Sequence, residues 1–223
     1  MRGARGPKRL RSVVAASLAV LIGLAGCLAG PERSSRLTYE LVTKLTVPVG
    51  QELPPTGIRY DRMEDRGAYV VIEGQQALKK KGDSLSWSGT PREGVSLALS
   101  QRVVWYTEDD LHLVGTAKVE IDDALPTAGP VETTSPVKYS GPVAYGVRKG
   151  AAIPGSSLTY LGRTDDGAEL GGLSEYPYRK VGDSITWEGM LREGVYSRLD
   201  LRVIQFDDRG LRVGGIVTLW IAP

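Results

Sequence analysis

The sequence predicts an all-β fold made of two tandem homologous domains, each with about six mostly antiparallel strands. Shifting the 223-residue chain by 100 residues aligns 37–121 with 137–221 without a gap, and 15 of 40 positions are identical between 82–121 and 182–221. Within each copy, short runs rich in Val, Ile, Leu, Thr and aromatic residues alternate with Gly, Pro and Asp clusters. This alternation is typical of short strands joined by tight turns. A small barrel or a sandwich would accommodate such strands.

The first element along the chain has the parts of a secretory signal. An uncharged stretch, Ser12 to Gly30, follows five basic residues: Arg2, Arg5, Lys8, Arg9 and Arg11. A basic start, a short apolar run and small residues before a cleavage site are the features that export requires. We expect residues 1–26 to form a signal helix that is removed. An uncleaved membrane-spanning helix is the alternative, although the glycines and alanines of this stretch make it weakly apolar.

The apolar run ends in Leu24-Ala25-Gly26-Cys27, and Cys27 is the only cysteine of the chain. This motif resembles the lipobox of bacterial lipoprotein precursors. The resemblance implies that the Cys27 thiol receives a diacylglycerol and that cleavage leaves Cys27 as the first mature residue, with residues 27–36 as a lipidated tether. Membrane lipid is then the first expected partner. The protein would be lipid-anchored on the extracytoplasmic side of a bacterial membrane, either the outer membrane or the cell surface.

The charge of the chain depends strongly on this leader. The whole chain has 28 basic and 26 acidic residues, but removing the five basic residues before Cys27 leaves 23 against 26, a net charge of −3. The mature part therefore has no basic excess of the kind that nucleic acid attracts, and no nucleic-acid partner is expected. With a single cysteine, internal disulfides are excluded as well, so apolar cores must hold the fold together.

The body is predicted as repeat 1 over 37–121, a linker over 122–136 and repeat 2 over 137–223. Each copy has enough residues for a small core. The three prolines and three acids of the linker suit an extended, solvated segment, so two separate domains are the default expectation. The six strands predicted in repeat 1, which recur 100 residues later, are 37–49, 56–61, 68–73, 84–89, 95–107 and 111–121.

The duplication predicts which side chains of the last strand face the core. Odd positions from 111 to 121 are apolar or glycine in both copies, and alternate residues of a strand share one face. The other face reads Thr116, Lys118 and Glu120 in repeat 1, but Ile216, Thr218 and Trp220 in repeat 2. Exposed apolar side chains of this kind favour a binding surface. Packing of Ile216 and Trp220 against repeat 1 or the linker is the alternative.

No catalytic chemistry is expected from the remaining motifs. Gly82-Asp83-Ser84-Leu85 matches the letters that name a family of serine esterases, yet it opens a predicted strand, and the only histidine, His112, lies on the outward side of the last strand. Gly and Asp at such a position are better explained by a turn, as are the paired acids Asp165-Asp166 and Asp207-Asp208. No catalytic residue, metal site or cofactor is predicted.

Two functions remain open. In the first, the chain is a non-catalytic interaction or structural lipoprotein that docks onto another envelope protein, with Ile216 and Trp220 in a flat apolar patch. In the second, it is a ligand-binding lipoprotein, for instance for glycans, in which aromatic residues such as Trp105, Tyr176 or Tyr178 line a groove. The first hypothesis predicts a flat surface and the second predicts a concave site.

Overall fold

A computed structural model describes residues 36–222 of the chain. The predicted signal peptide, Cys27, the tether up to residue 35 and Pro223 lie outside the described residues. All regular structure in the described part consists of β-strands in antiparallel pairs, so the prediction of an all-β fold is confirmed. No helix in 36–222 has the length and apolar character needed to cross a membrane.

Repeat 1 contains two antiparallel sheets. Their strands are β1 (Leu37–Pro48), β2 (Glu52–Leu53), β3 (Ile58–Glu64), β4 (Gly67–Ile72), β5 (Gln75–Lys79), β6 (Ser84–Arg92), β7 (Val95–Tyr106) and β8 (Asp110–Ile121). The long sheet has the order β1-β8-β7-β6, and the shorter sheet has the order β2-β3-β4-β5.

Repeat 2 has a similar plan, but its long sheet has one strand more and its shorter sheet has one strand fewer. The strands are β9 (Thr127–Ala128), β10 (Val137–Arg148), β11 (Thr159–Arg163), β12 (Ala168–Gly171), β13 (Tyr178–Arg179), β14 (Ser184–Arg192), β15 (Val195–Phe206) and β16 (Gly210–Ile221). The long sheet has the order β10-β16-β15-β14-β9, and the shorter sheet has the order β11-β12-β13. The added strand, β9, comes from the linker.

All six predicted strands of repeat 1 are present, and two further strands were missed. Strand β2 has only two residues, and β5 has the mainly polar sequence QQALK. Neither gives the apolar alternation by which a strand is recognised in sequence. The predicted strand 56–61 is displaced to Ile58–Glu64 because a turn closed by the Thr56 side chain precedes it: Thr56 Oγ1 donates to the Leu53 carbonyl at 2.7 Å.

The predicted core face of the last strand is confirmed in both copies. The ten apolar side chains at the odd positions of β8 and β16 are all at most 1% exposed. Glycine occupies the remaining odd position, and a Cβ at Gly115 or Gly215 would collide with the backbone of the neighbouring strand. The duplicated glycine is therefore required by close packing of adjacent backbones.

One tyrosine in each repeat ties the shorter sheet to the long one. Tyr60 Oη donates to the Thr107 carbonyl at 2.5 Å, and Tyr160 Oη donates to the Asp207 carbonyl at 2.6 Å. Both rings are fully buried. Because each acceptor lies in the turn between the last two strands, the bond fixes the shorter sheet against the end of that hairpin.

The two repeats belong to one compact unit and share a single hydrophobic cluster. The edge strands β1 and β10 lie side by side. A Cβ at Gly141 would lie 3.2 Å from the Cβ of Leu41, so the absence of a side chain at Gly141 permits this approach. Part of the linker is also structured: Ala128 and Thr127 of β9 pair with Gly189 and Met190 of β14.

Equivalent arginines cross between the repeats in opposite directions. Arg192 Nη1 donates to the carbonyl of Asp122 at 2.7 Å and to that of Gly94 at 3.3 Å. Arg92 Nη1 donates to the carbonyl of Ala222, the counterpart of Asp122, at 3.3 Å. Each guanidinium also fills the space that a Cβ would occupy on the glycine of the other repeat, Gly94 or Gly194. We call this set the arginine exchange; its reciprocal form is that of a twofold-symmetric interface.

Candidate interaction surfaces

The structure separates the three binding residues that the sequence suggested. Ile216 is 44% exposed and Trp105 is 51% exposed, whereas Trp220 is only 5% exposed. Ile216 and Trp220 therefore do not form the flat patch that the first hypothesis placed around both of them. Trp105 lies in repeat 1, on β7, in a different sheet from the other two.

Trp220 is enclosed although it has the outward parity of β16. Its cross-strand neighbours are Lys138 on β10 and Tyr196 on β15. Lys138 Nζ lies 5.4 Å from the centre of the indole ring, within the range of a cation–π contact. The indole Nε1 is buried without a hydrogen-bond partner among the described residues. These neighbours all belong to repeat 2, so packing of Trp220 against repeat 1 or the linker, the alternative drawn from the sequence, stays a prediction.

Ile216 belongs to an exposed apolar surface on the outer face of the second long sheet. Pro142 lies directly opposite Ile216 on β10, and Ala144 lies opposite Gly214. The position of a Cβ on Gly214 would be 3.0 Å from Ile204 Cδ1, so Ile204 covers this glycine. Ile204 is 54% exposed, and Pro142 and Ala144 are exposed as well. We call these four residues, Pro142, Ala144, Ile204 and Ile216, the Ile216 surface.

The equivalent face of repeat 1 is more polar. Lys44 and Thr116 stand where repeat 2 has Ala144 and Ile216, and Val42 and Val104 stand where it has Pro142 and Ile204. A lysine in the middle of the face keeps repeat 1 from offering a continuous apolar area. The duplication therefore supplies an internal comparison, because Lys44 and Thr116 interrupt a face of repeat 1 on which Val42 and Val104 are also exposed.

Trp105 is covered on one face by a lysine. Lys81 Nζ lies 3.2 Å from the centre of the indole ring, which is the closest cation–π approach among the described residues. Lys81 belongs to the basic run Lys79-Lys80-Lys81. Repeat 2 has Val181 and Gln205 at these two positions, so the contact is specific to repeat 1.

A shallow cleft in repeat 2 contains two of the aromatic residues that the second hypothesis named. The rings of Tyr176 and Tyr178 meet edge to face with their centres 5.3 Å apart. Tyr176 is 61% exposed, so most of its ring is open to solvent. The cleft has a volume of about 260 Å³, and its wall consists of Asp166, Tyr176, Tyr178, Arg179, Lys180, Asp183 and Ser184. We call it the tyrosine cleft.

Arg179 fixes the backbone of the tyrosine cleft. Its Nη1 donates to the carbonyls of Tyr176 and Tyr178, and its Nε donates to the carbonyl of Ser184 at 3.1 Å. The guanidinium is therefore engaged in holding the loop. In repeat 1, Lys79 Nζ makes the equivalent bond to the Ser84 carbonyl at 3.0 Å, but Gln76 and Leu78 replace the two tyrosines. The anchor is common to both copies, whereas the aromatic wall is not.

The Gly-Asp-Ser motifs form turns in both repeats. Asp83 Oδ2 accepts from the Lys80 amide at 2.8 Å, and Asp183 Oδ2 accepts from the Lys180 amide at 2.7 Å. Each preceding glycine has a positive φ, near 90°. The single histidine, His112, contacts Thr46 instead, with 3.2 Å between Nδ1 and Oγ1. The turn interpretation of these motifs thus agrees with their geometry.

One of the paired acids, Asp207, also stabilises a turn through its side chain. Asp207 Oδ1 accepts from the amides of Arg209 and Gly210, and these two bonds are the main reason that the pKa of Asp207 is lowered. Within 36–222, no group of three or more His, Cys, Asp or Glu side chains is arranged to hold a metal ion.

Comparison of the chain with protein-family models, with curated proteins and with solved structures gives no significant match. Inference about function therefore depends on the leader motif and on the surfaces described above. Two features of the structure were not predicted from the sequence: the arginine exchange between the repeats and the pairing of the linker with β14. The Arg-Glu-Gly motif at 92–94 and 192–194, identical in both copies, was the one available signal for the first of them.

Proposed function

We propose that this chain is a membrane-anchored extracytoplasmic lipoprotein that acts as a non-catalytic interaction module. The leader and the lipobox-like Leu24-Ala25-Gly26-Cys27 support the anchor. The Ile216 surface carries the interaction part of the proposal, because an apolar sheet face favours contact with another protein when it remains exposed in the folded chain. The partner is another protein of the cell envelope, since lipid attachment confines the module to a membrane surface.

The anchor is tested by acyl-chain labelling in bacteria that express the full chain. The unchanged protein should incorporate a labelled fatty acid and partition with membranes. Cys27→Ser should abolish the labelling because no other cysteine is available. Ala25→Ser is a suitable matched control, since it changes a leader residue and retains the thiol. Labelling that persists in Cys27→Ser would contradict lipidation at this residue.

The interaction is tested by placing a photo-crosslinking amino acid at position 216 and, in a separate variant, at position 116. The two positions are equivalent in the two repeats and are both exposed, but only 216 lies in the Ile216 surface. We expect a crosslinked product of defined mass from 216 in intact cells and none from 116. Ile204→Lys should reduce the product at 216 several-fold. Equal products from 216 and 116 would contradict a specific surface.

A second function, binding of glycans, has its own support in the tyrosine cleft. An exposed aromatic ring beside acidic and basic side chains can stack on a sugar ring while polar groups bind its hydroxyls. Titration of the purified protein with defined cell-envelope oligosaccharides should then quench tyrosine fluorescence. Tyr176→Ala should abolish the change, and Gln76→Ala in repeat 1 should not. Retention of binding in Tyr176→Ala would reject the cleft as the site.

A further inference from the structure

A basic cleft lies at one end of the second long sheet. It has a volume of about 270 Å³ and is lined by β10 and by the hairpin of β15 and β16. Three residues of its wall are arginines, Arg148, Arg209 and Arg212, and all three are exposed. We call it the arginine cleft. Its cationic side chains are accessible to a partner that approaches from solvent.

Strand register places the arginine cleft beside the Ile216 surface. Arg212, Gly214 and Ile216 are alternate residues of β16 and therefore lie on one face of the sheet. Gly146 and Ala144 of β10 lie opposite Arg212 and Gly214. Because two residues of an antiparallel strand span about 7 Å, the cleft begins where the apolar area around Gly214 ends. A partner segment of a few residues can thus contact both.

The charge at this end of the sheet has opposite signs in the two repeats. Segments 146–149 and 205–212 contain four basic and two acidic residues, a net charge of +2. The equivalent segments 46–49 and 105–112 contain three acidic residues and no lysine or arginine, a net charge of −3 with His112 neutral. In place of the three arginines, repeat 1 has proline, aspartate and histidine. Two copies of one fold carry opposite charge here, so the basic cleft is not a requirement of folding.

The arginines of the cleft are not neutralised by other side chains of the described part of the chain. Within 36–222, no carboxylate forms an ion pair with any of the three. Asp207 is the acidic residue of the wall, and its Oδ1 accepts from the backbone amides of Arg209 and Gly210 at 2.8 and 2.9 Å. These bonds hold the carboxylate in the turn. With three arginines and one aspartate, the wall has a net charge of +2.

We propose that the arginine cleft and the Ile216 surface form one docking site for a protein segment in which carboxylates adjoin apolar side chains. This inference rests on the proposed function, because the Ile216 surface is the interaction surface named there. The apolar side chains of the segment cover Ile204 and Ile216, and its carboxylates pair with Arg148 and Arg212. Guanidinium groups suit this role because they bind carboxylates in a bidentate manner. The positive cleft also steers an acidic partner toward the site.

Binding of a designed peptide tests the chemistry of the site. The probe is a fluorescent peptide of three leucines followed by three glutamates, and its anisotropy is measured with the full chain carrying Cys27→Ser. We expect binding that weakens several-fold when NaCl is raised from about 50 to about 500 mM, because salt screens exposed charges. A peptide with three lysines in place of the glutamates should not bind.

Variants of the chain assign the binding to this surface. Arg212→Glu should weaken it about tenfold. Ile216→Thr, which introduces the residue that repeat 1 has at this place, should weaken it several-fold. Lys44→Glu is the matched control, because it makes the same change of charge at an exposed position on the outer face of repeat 1. It should have little effect, and thermal unfolding should show that all three variants remain folded.

Two results with purified protein would overturn the proposal. One is equal weakening of peptide binding by Arg212→Glu and by Lys44→Glu, since only a general effect of net charge would then be present. The other is Arg212-dependent binding of phosphatidylglycerol vesicles without binding of the peptide, which would assign the surface to anionic lipid.

The crosslinking experiment in cells separates this inference from the proposed function. Arg212→Glu should reduce the product from position 216 several-fold. A product from 216 that Arg212→Glu leaves unchanged would overturn the acidic partner, while the proposed function would stand. Absence of any product from 216 together with Arg212-dependent peptide binding would contradict the proposed function and support the assigned chemistry of the site.

Discussion

Arg192 of repeat 2 donates a hydrogen bond of 2.7 Å to the backbone carbonyl of Asp122, the first residue after repeat 1. Arg92 of repeat 1 donates the equivalent hydrogen bond to the carbonyl of Ala222 in repeat 2. The same arginine position therefore joins the repeats from both sides. Both arginines are partly buried and donate to backbone carbonyls, and Arg92 Nη2 also lies 3.6 Å from Oε1 of Glu193. The junction therefore depends on charged donors to backbone acceptors, which are stronger than neutral hydrogen bonds.

Arg192→Ala should lower the free energy of unfolding by about 2 kcal/mol, because it removes charged hydrogen bonds from a partly buried place. Arg92→Ala should cost less, since its bond to Ala222 is longer. Urea denaturation of the purified protein measures both. Arg202→Ala is the matched control, because Arg202 is exposed and bonds within its own repeat to Gly182. An Arg192→Ala value no larger than the control would contradict a stabilising role for the exchange.

Gly94→Ala should be more destabilising than Gly82→Ala. Both glycines have a positive φ, so alanine brings backbone strain of about 1 kcal/mol at either place. At Gly94 the new Cβ would also meet the guanidinium of Arg192, whereas nothing lies within 4 Å of a Cβ on Gly82. Thermal unfolding compares the two variants. Restoration of part of the loss at Gly94 by Arg192→Ala would show that the collision is the cause, and equal losses in the two single variants would contradict it.

Trp220→Ala should destabilise the protein by about 3–5 kcal/mol, the usual cost of removing a buried tryptophan. Trp105→Ala should cost about 1 kcal/mol or less, because half of this ring is exposed and its main contact is the cation–π pair with Lys81. Chemical denaturation followed by circular dichroism reports both values. If Trp220→Ala unfolded at the same denaturant concentration as the unchanged protein, the enclosed position of the ring would be wrong.

Stability should fall as the pH rises above 10. Burial raises the pKa of Tyr139 and of Tyr145 to about 12, whereas an exposed phenol titrates near 10. The folded state therefore retains protons that the unfolded state releases, so their contribution is fully present below pH 10 and is lost as the pH rises from 10 to 12. Urea denaturation across this range measures the fall. Tyr139→Phe should make the fall less steep, and an unchanged slope would exclude Tyr139 as a source.

The sequence was sufficient for six strands in each repeat and for the core face of the last one, because both depend on local alternation that is repeated in two copies. The odd positions of β8 and β16 are the clearest case. The sequence was not sufficient to predict the burial of Trp220. Its side of β16 faces away from the core and predicts exposure, whereas its neighbours on β10 and β15 enclose it. The β9 pairing at Thr127 and Ala128 was missed for a related reason, since two polar or small residues carry no periodicity and their partner lies about sixty residues away.

The residues of the candidate surfaces also fall into two groups, those that the sequence identified and those that it did not. Ile216 was found from the comparison of the two copies, and its exposure follows from strand parity. Ile204, Pro142 and Ala144 were not found, because their grouping depends on the register between β10, β15 and β16. Tyr176 and Tyr178 were suggested as aromatic residues of a groove, but their edge-to-face contact and the anchoring role of Arg179 require the three-dimensional arrangement.

The arginine exchange also limits how the two copies can diverge. A substitution at Arg92 or Gly94 alters one half of a junction whose other half is encoded a hundred residues later, so compensation requires a second change at a distant codon. The outer faces differ from the junction in this respect, because Ile216 and its counterpart Thr116 are both exposed and have different side chains. Gene duplication of this kind gives one copy that can keep an ancestral surface while the other acquires a new one, with the shared junction preserved between them.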